Sequence, residues 1–149
     1  SLSNSTYNII NFDKVVEGYC KINQIGQAPM SVDGLCLSET DDSFFVEFKN
    51  GDFKIHEIQL KATESLLIYS DLAHQHISDI KKRFLFILVY NSKKFSPSKR
   101  EMKDYLSAKG MSRKEKSFDK LHKFKMLYFK EVQIYNQEEF DDFLSRSYI

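Results

Sequence analysis

Three residues in the first third of the chain could do chemistry together: Asp33, Glu47 and Lys49. They sit in two short apolar runs, Ser31-Val32-Asp33-Gly34-Leu35-Cys36-Leu37 and Ser43-Phe44-Phe45-Val46-Glu47-Phe48-Lys49-Asn50-Gly51. Each run reads as a strand that carries charge where a buried strand should carry none. Side chains alternate along a strand, so Glu47 and Lys49 share one face while Phe44, Val46 and Phe48 share the other. A carboxylate and an amine are thus side by side at the end of the second strand, and Asp33 on the preceding strand can reach the same spot. Two carboxylates can hold a hard divalent cation, and a neighbouring lysine can orient or activate a water. Buried charge is costly unless paired or metal-bound, so the grouping needs a physical reason. A plainer arrangement also satisfies these residues: Asp33 in a turn with Gly34, and Glu47 with Lys49 as an edge ion pair or part of a buried ionic network.

The surrounding pattern supplies elements to position them. Asn11 can cap a helix near Asp13 to Asn23 with apolar positions Val15, Val16, Tyr19 and Ile22, and Glu17 lies in it. Strands are expected near 31–38 and 43–49. A helix near 53–72 places Ile55, Ile58, Ala62, Leu66, Tyr69 and Leu72 on one face, with Gln59 and Lys61 flanking it. The continuous apolar run Phe84 to Tyr90 reads as a central buried strand. Ser96, Pro97 and Gly110 bracket a further helix. A basic stretch from Met111 to Lys125 interleaves Phe118, Leu121 and Phe124. The segment 129–135 alternates as a strand. Asn136 and Glu139 form a capping box for a last helix with Phe140, Phe143 and Leu144 on its apolar face.

At 149 residues the length predicts one domain spanning 1–149, able to bury about 70% of its unfolded surface. With 42% hydrophobic and 14% aromatic residues, the chain has the material for a packed core rather than a disordered segment. The net charge of +1 hides an asymmetry. Residues 1–80 carry 5 Lys and Arg against 12 Asp and Glu, whereas residues 81–130 carry 16 against 4. A carboxylate-bearing first half beside a basic block suits an enzyme that tracks a phosphate backbone, or else a solvated surface or a patch for an acidic protein.

Other chemistries find little support. No apolar run is long enough to span a bilayer, and no signal peptide is visible, so a cytoplasmic location is the expectation. Cys20 and Cys36 are isolated and lie in apolar patterns, where free cysteine behaves as a small hydrophobe. His74-Gln75-His76, flanked by Asp71 and Asp79, matches no standard zinc spacing. There is no nucleophile elbow, no Cys/His catalytic signature and no phosphate-cradling glycine loop.

Asp33 followed by Glu47-x-Lys49, in this order of helix and strands, resembles the PD-(D/E)XK nuclease superfamily. Its restriction-endonuclease-like core runs helix, three strands, helix, strand. The resemblance covers roughly residues 7–91. Val32 stands where the family usually has proline, and the third meander strand is expected around Gln24 to Met30 or as a very short segment. The motif is short, and Glu101-Met102-Lys103 repeats Glu-x-Lys in a stretch that reads as helix; strand context and Asp33 set the first copy apart. The resemblance implies an α/β fold with a mixed central sheet flanked by helices. It implies metal-dependent hydrolysis of phosphodiester bonds in DNA or RNA, with Mg2+ or Mn2+ held by Asp33, Glu47 and the Phe48 carbonyl, and Glu17 joining directly or through water. Lys49 would position or deprotonate the attacking water. Gln59 would support the site or a phosphate, with Lys61 as the second candidate. Cleavage of both duplex strands would call for a homodimer. Proteins of this fold also occur in toxin and immunity systems, so a non-catalytic module that binds a protein partner is the alternative.

Overall fold

Seven consecutive apolar side chains, Phe84–Tyr90, form a strand that is buried along its whole length. Such a run needs cover on both faces, and the chain provides it. The computed structural model describes residues 8–93, 120–125 and 127–147. Its elements are β1 (Ile10–Asn11), α1 (Phe12–Ile22), β2 (Gly34–Cys36), β3 (Ser43–Lys49), α2 (Ile55–Ala73), α3 (Ile77–Ile80), β4 (Phe84–Tyr90), β5 (Glu131–Asn136) and α4 (Gln137–Ser147). The protein is a mixed α/β structure with a five-stranded sheet in the order β1-β2-β3-β4-β5. The first three strands are antiparallel neighbours, while β3, β4 and β5 run parallel.

Alternation along the strands divides the core in two. Phe45 on β3 and Phe84, Phe86, Leu88 and Tyr90 on β4 face α1, α2 and α3. Phe44, Val46 and Phe48, with Leu85, Ile87 and Val89, face Phe140, Phe143 and Leu144 of α4. Cys20 and Cys36 are buried and free, and they belong to opposite faces, so no disulfide joins them. Among the described residues no helix is long and apolar enough to cross a membrane.

The caps read from sequence are present. Asn11 accepts a hydrogen bond from the Lys14 N–H at the start of α1. At α4 both halves of the capping box form: the Glu139 N–H donates to Asn136 Oδ1 (2.9 Å) and the Asn136 N–H donates to Glu139 Oε1 (3.2 Å). Asn136→Ala is expected to lower unfolding free energy by about 1 kcal/mol. Urea denaturation of the variant checks this, and an unchanged midpoint would show that α4 does not depend on its cap.

Several expectations need correction. No strand forms over 24–30. Pro29 has no N–H to give a ladder, and the N–H groups of Met30 and Val32 go to the Glu64 carboxylate and the Ser65 hydroxyl instead. The third antiparallel strand is β1, only two residues long, and it precedes α1 rather than following it. Strand β2 is shorter than 31–38, and Asp33 lies just before it. Helix α2 runs two residues later at its start and one at its end than expected. Two supposed core positions face solvent: Ile22 is 82% exposed and Leu72 is 43% exposed. Leu121 and Phe124 in the basic stretch are buried in the core. The helix expected after Pro97, the second Glu-x-Lys at 101–103 and Phe118 lie outside the described residues.

Candidate functional site

Antiparallel pairing of Gly34 with Val46 and Leu35 with Phe45 continues to set Asp33 opposite Glu47. Glu47 lies on the helix-covered face, the second residue after Phe45, and is only 1% exposed. Asp33 curls toward the same strand end, and its Oδ2 accepts a hydrogen bond from the Phe48 N–H at 2.7 Å. The loop that carries it is pinned one residue earlier by the Val32 N–H donating to Ser65 Oγ at 2.9 Å. Ser65 is fully buried on α2, so helix and strand together fix where Asp33 sits.

Two lysines converge on Glu47. Lys61 of α2 donates to Glu47 Oε1 at 2.8 Å, and Lys49 lies 3.5 Å from the same oxygen. Their side chains are 21% and 23% exposed, so each amine sits at the mouth of the site rather than in its floor. The other carboxylate oxygen, Glu47 Oε2, is buried with no hydrogen-bond partner; among the described residues it is the one such side-chain atom. An unpartnered buried oxygen of this kind is expensive unless something else uses it.

The electrostatics follow from this packing. Burial pushes the Glu47 carboxyl above its usual value, and the Asp33 charge adds to that, while the Lys61 hydrogen bond and the two ammonium charges pull only partly back. For Lys61, burial acts to lower the ammonium pKa. The Glu47 hydrogen bond and the carboxylates of Glu47, Asp33 and Asp13 outweigh it and leave Lys61 raised. Lys61 is therefore the cation that holds Glu47 in place, and Lys49 is the less committed of the two.

Lys61→Met removes the nearer cation and leaves the buried carboxylate to Lys49 alone. The expected loss is about 2 kcal/mol at neutral pH, below the full figure for a buried pair because Lys61 is partly exposed and Lys49 remains. Glu47 in the folded variant then binds its proton still more tightly than in the unfolded chain. Stability is accordingly retained below the unfolded carboxylate pKa of about 4.3 and lost as pH rises through the raised folded value. Urea midpoints for wild type and variant should converge near about pH 4 and diverge toward about pH 7. A pH-independent gap would mean that Lys61 acts through packing and not through charge.

The other sequence candidates lie elsewhere. Glu17 is 66% exposed and pairs with Lys21 at 3.7 Å across one turn of α1. The Gln59 side chain donates to the Lys120 carbonyl at 3.0 Å and ties the returning chain to α2. The Phe48 ring packs on Phe140, with 5.7 Å between centroids, on the opposite side of the sheet. His74 and His76 occupy exposed helix-capping positions. Among the described residues no group of three or more His, Cys, Asp or Glu side chains is placed to hold a metal. Sequence reading ranked Lys61 behind Gln59 and missed Ser65 and Asp13. Lys61 and Ser65 fall three and seven residues after the buried Ile58, which marks polar groups on an inward stripe. Asp13, in the first turn of α1, hydrogen-bonds to the Ser31 hydroxyl. An acid there is ordinary helix-dipole chemistry, so nothing in the sequence singled it out.

Comparison with protein-family models, with curated proteins and with solved structures finds no match to this chain.

Proposed function

We propose that the protein is a metal-dependent nuclease of restriction-endonuclease-like type, hydrolysing phosphodiester bonds in DNA or RNA. One observation carries the reading: Asp33 and Glu47 meet at the end of a strand pair beside Lys49, and Glu47 Oε2 is buried without a partner. Oxygen donors of this kind fit Mg2+ or Mn2+, with Asp33, Glu47 and the Phe48 carbonyl as the protein's share of the ligands and water as the rest. When bound, such a cation supplies Lewis acidity and lowers the pKa of a coordinated water.

The chain's own residues do the remaining work. The Phe48 N–H and the Ser65 hydroxyl hold the Asp33 loop in place before substrate arrives. Lys61 fixes the Glu47 rotamer through Oε1. Lys49, less tightly engaged, is the group free to orient the attacking water and to offset charge that builds on the phosphate oxygens. The basic composition of residues 81–130 supports a polyanionic substrate. Element order departs from the family pattern at β1, while the succession of β3, α2 and β4 keeps its strand, helix, strand order.

A second reading has an observation of its own. Because Glu47 is nearly inaccessible, the Lys49–Glu47–Lys61 grouping also suits a buried ionic network that serves only the fold. Incubating purified protein with single- and double-stranded DNA and RNA, in Mg2+, Mn2+ or EDTA, separates the two. Cleavage that needs the cation is the expected result. Intact substrates in every metal, together with a melting temperature unmoved by Mn2+, would leave the ionic network as the answer.

A further inference from the structure

The four charges gathered at the strand end cancel. Asp33 and Glu47 are answered by Lys49 and Lys61, and both ammonium groups lie on one oxygen, Glu47 Oε1, at 3.5 and 2.8 Å. The other oxygen, Oε2, is buried without a partner on a side chain that is 1% exposed. A divalent cation drawn to Oε2 would meet two positive charges and no net negative one, which Coulomb's law disfavours at such short range. One ammonium has to give way for the site to take a metal. Lys61 has a second carboxylate within its surroundings. Asp13, exposed in the first turn of α1, accepts from the Ser31 hydroxyl and has no cation in ion-pair contact among the described residues. The backbone brings it toward Lys61. The Phe12 N–H donates to the Asp33 carbonyl at 3.1 Å, which lays the start of α1 against the Asp33 loop. The Val32 N–H donates to Ser65, one turn beyond Lys61 on the same face of α2. Helices α1 and α2 therefore meet on the same three residues, 31–33, and the Asp13 charge acts on Lys61 there.

We propose that Lys61 is an internal cation that the metal displaces: as a divalent cation enters at Glu47, the Lys61 ammonium leaves Glu47 Oε1 for the Asp13 carboxylate, which makes Asp13 a positioning residue of the metal site. The inference rests on the nuclease reading above and names how its metal is admitted. Before the exchange, Lys61 neutralises a buried carboxylate and fixes its rotamer. After it, Asp33 and Glu47 face the cation with Lys49 alone beside them, and the displaced ammonium is paired again. The long, flexible lysine stem lets the ammonium change partners without moving α2. Lys61 leaves rather than Lys49 because the loop that Asp13 holds through Ser31 is bonded to Lys61's own helix through Ser65.

The test measures Mn2+ binding to the intact chain without nucleic acid, from the electron paramagnetic resonance of the free ion. Asp13→Asn keeps an acceptor for Ser31 and removes the charge that receives Lys61. Its Kd for Mn2+ should rise about tenfold, the scale of one charge interaction in a partly exposed site. Lys61→Gln keeps a donor for Glu47 Oε1 and removes the competing cation, so it should bind Mn2+ about tenfold more tightly than wild type. Adding Asp13→Asn to Lys61→Gln should change Kd by less than about twofold, because no ammonium is left to receive. Adding it to Lys49→Ala should still cost about tenfold, because Lys61 must still move. That second background keeps the test intact if Lys61→Gln does not fold. The exchange is overturned by an Asp13→Asn effect below about twofold, by one of equal size with and without Lys61, by one that vanishes in Lys49→Ala, or by weaker binding in Lys61→Gln. The parent metal site is read separately with Glu47→Gln. Absent Mn2+ binding, or binding that Glu47→Gln leaves unchanged, removes the metal site and the exchange with it. Binding that needs Glu47 but ignores Asp13 removes the exchange alone.

Discussion

Lys49→Ala is expected to reduce metal-activated cleavage about a thousandfold, the scale on which loss of a single proton-transfer or charge-stabilising group is felt. The same substitution should change unfolding free energy by less than about 1 kcal/mol. Lys49 is 23% exposed and stands 3.5 Å from a carboxylate already held by Lys61 at 2.8 Å, so the fold depends on it little. Glu47→Gln should abolish cleavage as well, through a different route. It keeps the shape and can still accept from Lys61, but it removes one of two charges available to a cation. At a hundredfold excess over Kd, bound Mn2+ would stabilise wild type by about 2.7 kcal/mol, or about 5–10 °C in a chain of this size. Glu47→Gln should lose most of that increment without melting much lower in EDTA, because the buried charge it removes was itself penalised. The buried-network reading gives the opposite pattern, with both variants melting lower in EDTA and Mn2+ without effect on any of them. Turnover assays and paired melts on three proteins decide between the two.

The parts of the fold legible in sequence were those where one physical rule acts alone. Phe84–Tyr90 could only be a doubly covered strand, and it is. The Asn136–Glu139 box and the Asn11 cap are local hydrogen-bond patterns and appear as read. The same-face placement of Glu47 and Lys49 followed from strand alternation. The failures are tertiary. At the end of 24–30 the Met30 N–H goes to Glu64, and just beyond it the Val32 N–H goes to Ser65, both partners more than thirty residues away. The two-residue β1 carries too little pattern to be seen at all. Ile22 and Leu72 obey helical spacing, yet they lie in the last turns of α1 and α2 and face solvent. At the candidate site, residue types and order singled out Asp33, Glu47 and Lys49, which the fold brings to one strand end. Which lysine holds the carboxylate depended on how α2 crosses β3, and periodicity sets that only to within a turn.

That crossing rests on one ring. Phe45 is fully buried two residues before Glu47 on the same face of β3. Its centroid lies 5.6 Å from Phe12 of α1, 5.8 Å from Tyr69 of α2, 5.6 Å from Phe84 of β4 and 6.1 Å from Phe129, just ahead of β5. Three of these contacts are edge-on, the geometry aromatic pairs favour. Phe45→Ala therefore removes apolar burial and leaves a cavity between four elements that cannot all collapse into it. The expected loss is about 3–5 kcal/mol, a large part of the roughly 5–15 kcal/mol that holds a domain together. Leu67→Ala, at a position 53% exposed on the outer side of α2, should stay within about 0.5 kcal/mol. Urea denaturation of the pair measures the contrast. Because α2 also carries Lys61 and Ser65, a loosened Phe45 cluster should blunt the Mn2+-induced rise in melting temperature together with stability. A Phe45→Ala protein that melts like wild type would place the ring outside the core, and the positioning of Lys61 over Glu47 would then need another anchor.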